Sequence, residues 1–164
     1  MSWIAPLPAA TPFEAVLSHR PELLKLYRSF IATLSNADRV PPRTLELCRL
    51  RVAAIHECTQ EWQLRAPDVA LTMSELADLQ QGVFARFSAD EQAALAIAEQ
   101  LPYAHHAVSD ADVERVRVAL GEAGAVALLT AIAFFDVNCR IKLTLDVARS
   151  ESTLEVTSHA SALR

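Results

Sequence analysis

Hydrophobic positions recur along the chain at intervals of three and four residues, the period of an amphipathic helix. The pattern is clearest after Pro42, where it predicts a helix with a core-facing stripe of Leu45, Cys48, Val52 and Ile55. Glu46 lies on the neighbouring stripe, so a carboxylate sits beside the apolar face of this helix.

Prolines and glycines divide the rest of the chain into further helices. Pro21 suits a first helical position and separates two short helices between 13 and 34. Gly82 predicts the end of a helix that begins near Ser74. Ser88 and Glu91 have the spacing of a capping box, which predicts a helix that runs to Leu101 and is ended by Pro102.

The C-terminal third is predicted to contain two more helices. One begins at 109–112 and ends near Leu120, and Gly121 and Gly124 form the turn into a long helix from Ala125 to about Ala148. This last helix is apolar nearly all round, which predicts that it is buried at the centre of the fold and favours an oligomer. Residues 1–12 are predicted to form an extended arm and residues 150–164 a tail, with a short strand at 154–156.

Composition agrees with an all-α fold. Hydrophobic residues make up 52% of the 164 positions, aromatic residues only 6%, and there are just three glycines. Such a balance suits close-packed helices. The length predicts a single domain, 1–164, with enough residues to bury its own core.

Charge and cysteine usage limit the partners and the compartment. The net charge is -5 without a clustered basic face, which argues against a nucleic-acid partner. Cys48, Cys58 and Cys139 are odd in number and far apart, as expected in a reducing cytoplasm. No signal peptide is evident, and the longest apolar run, 124–135, is shorter than the roughly 20 residues that span a bilayer. We therefore expect a cytoplasmic protein that does not enter membranes.

One constellation carries candidate chemistry: Glu46, Cys58, Glu61 and Arg65, inside an otherwise apolar helical pattern. If a new helix begins near Cys58, then positions 58, 61 and 65 share one face and their side chains converge. The helix N-terminus favours a thiolate at Cys58, whereas the neighbouring carboxylates oppose it, so the residues leave the direction of the shift in its pKa open.

These residues resemble the carboxymuconolactone decarboxylase and alkylhydroperoxidase D-like (AhpD-like) family from about Leu17 to Val147. The family pattern is Glu, eleven residues, Cys, two residues, Cys, three residues, His. The segment from Cys58 to Trp62 looks like the Cys-x-x-Glu-Trp variant of the decarboxylase-like branch, and 134–140 is similar to the aromatic-polar-Arg segment of the last helix. The resemblance implies an AhpD-like multi-helix bundle that assembles as homo-trimers or hexamers.

Two departures from the family pattern bear on the activity. Glu61 and Arg65 stand where the peroxidase branch has its second Cys and its His, which disfavours a peroxidase that cycles between dithiol and disulfide. Arg65 is instead a permanent cation that can hold a carboxylate. The resemblance then implies a cofactor-free decarboxylase or proton-transfer enzyme acting on a small carboxylate or lactone. In this hypothesis Glu46 and Glu61 transfer the proton, Arg65 and Trp62 bind substrate, and Cys58 is a polar member of the pocket.

Two other hypotheses remain open: an AhpD-like thiol antioxidant that uses Cys58 alone, and a catalytically inert oligomeric scaffold or binder whose charged residues form ion pairs. A helical His56 would face away from the site. His105 and His106 are interpreted as a solvated loop, and no metal site is predicted. The last helix also carries Asp136, Asn138 and Arg140, whose polar groups need partners in an apolar setting.

Overall fold

The computed structural model describes residues 3–34 and 39–147, and within these ranges every regular element is a helix. The all-α prediction is thus confirmed. The helices are α1 (Pro12–Leu17), α2 (Pro21–Leu34), α3 (Pro42–Ile55), α4 (Thr59–Gln63), α5 (Met73–Gln81), α6 (Ala89–Ala104) and α7 (Asp110–Thr144), with a 3-10 turn at His105–Ala107. The predicted tail and its strand at 154–156 lie outside the described residues.

The chain divides into two compact units, 1–33 with 140–164 and 34–139. In the first unit, Phe13, Val16 and Val147 form a small buried cluster. The described residues before α1 contain no helix or strand, and Leu7 N donates to Ala15 O at 3.1 Å. None of the residues of α2 is buried, so its apolar side is largely exposed.

In the second unit, α3 is the helix on which the core is built. It contributes to two buried clusters, one containing Cys48 and Val52 and the other containing Leu47 and Leu50. Trp62 is half-buried and packs against both clusters. The central position predicted for the last helix therefore belongs to α3, which is buried on more than one side.

Local signals locate most of the helix ends correctly. Gly82 ends α5 with a left-handed φ of 72°, and Ser88 and Glu91 form the predicted capping box at the start of α6. Thr72 and Glu75 form a second capping box at the start of α5. Arg43 of α3 is ion-paired with the glutamates of both boxes, so one guanidinium connects the N-termini of α5 and α6 to α3.

The prediction that Pro102 ends its helix is wrong, because α6 continues through it to Ala104. Proline lacks the backbone N–H of an α-helical hydrogen bond and restricts the residue before it, so the local pattern counts against a helix that continues through it. Pro102 is also buried, so its ring contributes to packing that the sequence pattern does not reveal.

The break predicted between the two C-terminal helices is present at Gly121, whose φ of 71° and ψ of 173° interrupt α7. The long segment that follows is buried on one side only. Leu128 and Ile132 are buried, whereas Val126 is 66% exposed. The predicted burial of this helix is thus found on one face, and Val126 on another face is exposed among the described residues.

Among the described residues, α7 is the one helix long and apolar enough to cross a membrane, and 28% of its most apolar window is buried. Core helices of soluble proteins have the same length and composition, so this property does not assign a compartment.

Candidate active site

The centre of the candidate site is an ion pair within one turn of α3. Arg49 holds the Glu46 carboxylate with two parallel hydrogen bonds, Nε to Oε2 and Nη2 to Oε1, both 2.8 Å long. Residues three apart on a helix are neighbours, which brings the two side chains together. A bidentate contact of this kind fixes the plane of the carboxylate as well as its position.

The same guanidinium binds the second carboxylate. Arg49 Nη1 donates to Glu61 Oε2 at 2.8 Å and to the backbone oxygen of Glu61 at 2.6 Å. Its Nη2 also donates to Leu64 O at 2.7 Å, so Arg49 contacts both α4 and the chain that follows it. The two carboxylates that the sequence singled out are therefore brought to one cation.

Two further donors orient the carboxylates. Asn138 of α7 donates from Nδ2 to Glu61 Oε1 at 2.9 Å, and the backbone amide of Ala66 donates to Glu46 Oε1 at 3.1 Å. Glu46 and Glu61 are each only 5% exposed, and Asn138 is also buried. Glu46, Arg49, Glu61 and Asn138 are called the carboxylate cluster below.

Two features determine the electrostatics of the carboxylate cluster: its burial, and its two carboxylates against a single guanidinium. Burial lowers the pKa of Arg49, but the hydrogen bonds and charges of Glu46 and Glu61 outweigh it and leave that pKa above its ordinary value. Arg49 therefore stays cationic. With both carboxylates ionised, the cluster carries one net negative charge, and one proton on the pair makes it neutral.

Arg65 does not share a helix face with Glu61, because α4 ends at Gln63 and Leu64 is extended. The Arg65 guanidinium instead lies 5.2 Å from the centre of the Trp62 ring and donates to Leu64 O at 2.9 Å. It is exposed, and its pKa is lowered by desolvation and by repulsion from Arg49, while attraction to Glu46 opposes the shift. The cation that contacts both carboxylates is Arg49, whereas the sequence pattern indicates Arg65. The spacing of three residues between Glu46 and Arg49 is the sequence signal that could have identified Arg49.

Cys58 is the N-cap residue of α4, as the prediction of a new helix near this position requires. Its thiol is fully buried in the cluster that also contains Cys48 and Cys139, and none of these three cysteines is in a disulfide. The preceding residue, Glu57, has a left-handed φ of 52°, which is uncommon for a residue with a side chain. Burial, with a contribution from the charge of Glu91, raises the pKa of Cys48 far above its usual range.

Burial of the three thiols leads to a prediction about their reactivity. We expect a disulfide reagent such as Ellman's reagent to label the folded protein at least ~100-fold more slowly than the denatured chain, because access requires local opening of the core. The time course of thionitrobenzoate release at pH 7, with and without denaturant, measures this ratio. Labelling of Cys58 in the folded protein as fast as a free thiol would contradict it and would favour the antioxidant hypothesis.

The polar residues of α7 do have partners, as predicted. Asn138 bonds Glu61, as described, and Asp136 Oδ1 lies 2.6 Å from Nε2 of His56. Arg140 belongs to the first unit and is exposed. His56 is the C-cap residue of α3 and still has right-handed helical backbone angles.

The paired histidines of the 3-10 turn are exposed, in agreement with the interpretation of 105–106 as a solvated loop. Nowhere in 3–34 or 39–147 do three His, Cys, Asp or Glu side chains come together in a way that would hold a metal ion. Comparison of the chain with protein-family models, with curated proteins and with solved structures gave no match.

Proposed function

We propose that the chain is a carboxymuconolactone decarboxylase-like protein that transfers a proton, without a cofactor, on a small substrate containing a carboxylate or lactone. The observation that carries the proposal is the convergence of Glu46 and Glu61, from two different helices, on the single guanidinium of Arg49 in a buried position. General acid–base catalysis commonly uses two carboxylates, one to give a proton and one to accept it.

The charge of the cluster supports a shared proton. Two carboxylates against one guanidinium leave room for one proton without a net buried charge. A pair that holds a single proton contains both a donor and an acceptor. Asn138 and Ala66 donate to one oxygen of Glu61 and of Glu46 respectively, which orients the two groups.

The proposed step on a carboxylated lactone is a decarboxylation. The bond between the ring and the carboxylate breaks, carbon dioxide leaves, and the electron pair remains on the substrate as a carbanion or enolate. Glu61 gives its proton to that carbon, and one proton from solvent then restores the pair through Glu46, so that the substrate carboxylate and one proton give the protonated product and carbon dioxide. Neither an oxidant nor a reductant is needed.

Arg65 and Trp62 provide the substrate-binding group of the proposal. The Arg65 guanidinium is exposed beside the Trp62 ring and within the field of the Glu46 and Arg49 charges. A permanent, planar cation at the edge of the cluster suits a substrate carboxylate. In this proposal Cys58 is a polar member of the substrate pocket, and its thiol is buried at the start of α4.

A purely structural role for the cluster is the second candidate function. Arg49 donates to Glu61 and Leu64 as well as to Glu46, and in doing so ties α3 to α4 and to the chain beyond it. A scaffold or small-molecule binder would keep this network for stability alone. In either case the exposed face of α7 around Val126 supports self-association, which we propose as a homo-trimer or hexamer in the cytoplasm.

The test of the proposal is turnover of carboxymuconolactone, followed by the release of carbon dioxide. We expect Arg65→Gln to raise KM by about 10- to 100-fold with a smaller effect on kcat, because a charge-assisted hydrogen bond contributes about 1.5–3 kcal/mol to binding. Arg86→Gln removes another exposed arginine, which pairs with Asp78, and is expected to leave KM unchanged. Absence of turnover by the unmodified protein, or equal KM values for both variants, would contradict the proposal.

A further inference from the structure

A second group of polar side chains joins three helices at the end of α3. His56 Nε2 lies 2.6 Å from Asp136 Oδ1 of α7, and His56 Nδ1 lies 2.8 Å from the hydroxyl of Tyr103 in α6. The rings of His56 and Tyr103 are tilted by 46° with their centres 5.0 Å apart. Both imidazole nitrogens are therefore engaged, one by a carboxylate and one by a phenol.

The carboxylate determines the role of each nitrogen. An ionised Asp136 can only accept, so the hydrogen of the neutral imidazole lies on Nε2. Nδ1 then has a lone pair directed at the phenol, and the Tyr103 hydroxyl donates to it. This is the arrangement by which a base that is oriented by a third group activates a weak nucleophile.

Exposure differs sharply among the three side chains. The His56 side chain is only 4% exposed, and Asp136 is largely covered as well, whereas Tyr103 is 61% exposed. The base and its orienting carboxylate are thus removed from water while the phenol is accessible from solution. A structural tyrosine that caps a buried histidine would need no such exposure.

From this geometry we propose that Tyr103, His56 and Asp136 form a second reactive site, in which the Tyr103 phenol accepts acyl groups from small esters. Asp136 orients His56, and His56 acts as the base. The site belongs to residues that the carboxylate cluster does not use, so it is independent of the function proposed above.

The acyl transfer balances as follows. The Tyr103 oxygen attacks the ester carbonyl carbon while His56 Nδ1 takes the phenolic proton. The bond to the leaving alcohol breaks, and the alcohol departs with that proton, which leaves an O-acyl-tyrosine. Water, deprotonated by His56, then attacks the acyl carbon and releases a carboxylic acid and the original phenol.

The test uses p-nitrophenyl acetate and the full-length protein. We expect Tyr103 to be acetylated roughly 100-fold faster than N-acetyltyrosinamide under the same conditions, because a positioned general base contributes about 10²- to 10⁴-fold. Release of p-nitrophenolate gives the rate, and peptide fragmentation by mass spectrometry locates the acetyl group. Tyr27, the other tyrosine of the chain, is the internal control, and its ring packs edge-on against Phe13.

Variants of the three residues distinguish activation of the Tyr103 phenol by His56 from its simple exposure to solvent. Tyr103→Phe, at an exposed position, is expected to abolish acetylation at 103, and His56→Gln to slow acetylation of Tyr103 by about 100-fold without changing that of Tyr27. Asp136→Asn provides a second route if His56→Gln unfolds the protein, and it is expected to lower the same rate. The proposal would be overturned if Tyr103 of the unmodified protein were acetylated no faster than N-acetyltyrosinamide. It would also be overturned if folded His56→Gln and Asp136→Asn left the rate of Tyr103 acetylation unchanged.

Discussion

Replacing Arg49 with methionine is expected to lower the free energy of unfolding by about 3–5 kcal/mol at pH 7. The substitution leaves Glu46 and Glu61 buried without the cation that both of them contact, and it also removes the donor to Leu64 O. An uncompensated charge in a buried position is among the few single changes that produce so large a loss. Urea unfolding followed by circular dichroism measures the difference directly.

Arg86→Met is the control for this experiment. Arg86 is largely exposed and pairs with Asp78, so its loss is expected to cost less than about 1 kcal/mol. Adding Glu46→Gln to Arg49→Met is expected to recover part of the lost stability, because it removes one of the two charges left behind. An Arg49→Met variant as stable as Arg86→Met would show that the cluster is not buried as described.

Glu61→Gln is expected to lower kcat for carbon dioxide release from carboxymuconolactone by about 10²- to 10⁴-fold while the protein remains folded. The glutamine carbonyl can still accept from Arg49, and its NH2 group can donate to Asn138 once the Asn138 amide turns to present its oxygen. The remaining charges of Glu46 and Arg49 cancel, so we expect the fold to be kept. What is lost is the proton that Glu61 is proposed to carry. Steady-state kinetics with matched circular dichroism spectra measure both effects.

Cys58→Ser is the matched comparison for Glu61→Gln, since it changes a neighbouring residue of the same motif and preserves its size. We expect this variant to retain much of the turnover, because the proposed step uses no sulfur chemistry. If instead the serine variant is inactive and the glutamine variant is active, the reaction depends on the thiol, and the carboxylate pair is not the proton donor.

The parts of the fold that local chemistry determines could be predicted from the sequence. The left-handed residue at Gly82, the capping box of Ser88 and Glu91, and the start of a helix after Cys58 all depend on residues within one turn of each other. The continuation of α6 through Pro102 could not be predicted, because local chemistry disfavours a proline inside a helix, whereas burial of its ring is decided by packing.

The two carboxylates of the site could be predicted from the sequence, but its cation could not. Glu46 and Glu61 stand out as charges in an apolar pattern, and the polar residues of α7 indicated that partners must exist, which Asn138 confirms. The sequence predicts Arg65 as the cation because a helix that begins near Cys58 would place it on the face of Glu61, whereas α4 ends at Gln63. Helix length beyond the first turn depends on tertiary contacts, which spacing alone does not contain.

The central claim, that Glu46 and Glu61 act as one proton-transferring pair, is tested most directly by a double-variant cycle. The measurement is kcat for carbon dioxide release by the unmodified protein, Glu46→Gln, Glu61→Gln and the double variant. Groups that act as a unit give non-additive losses. We predict that the double variant is no more than about 3-fold slower than the slower single variant. Losses that multiply, or single variants as active as the unmodified protein, would contradict the claim.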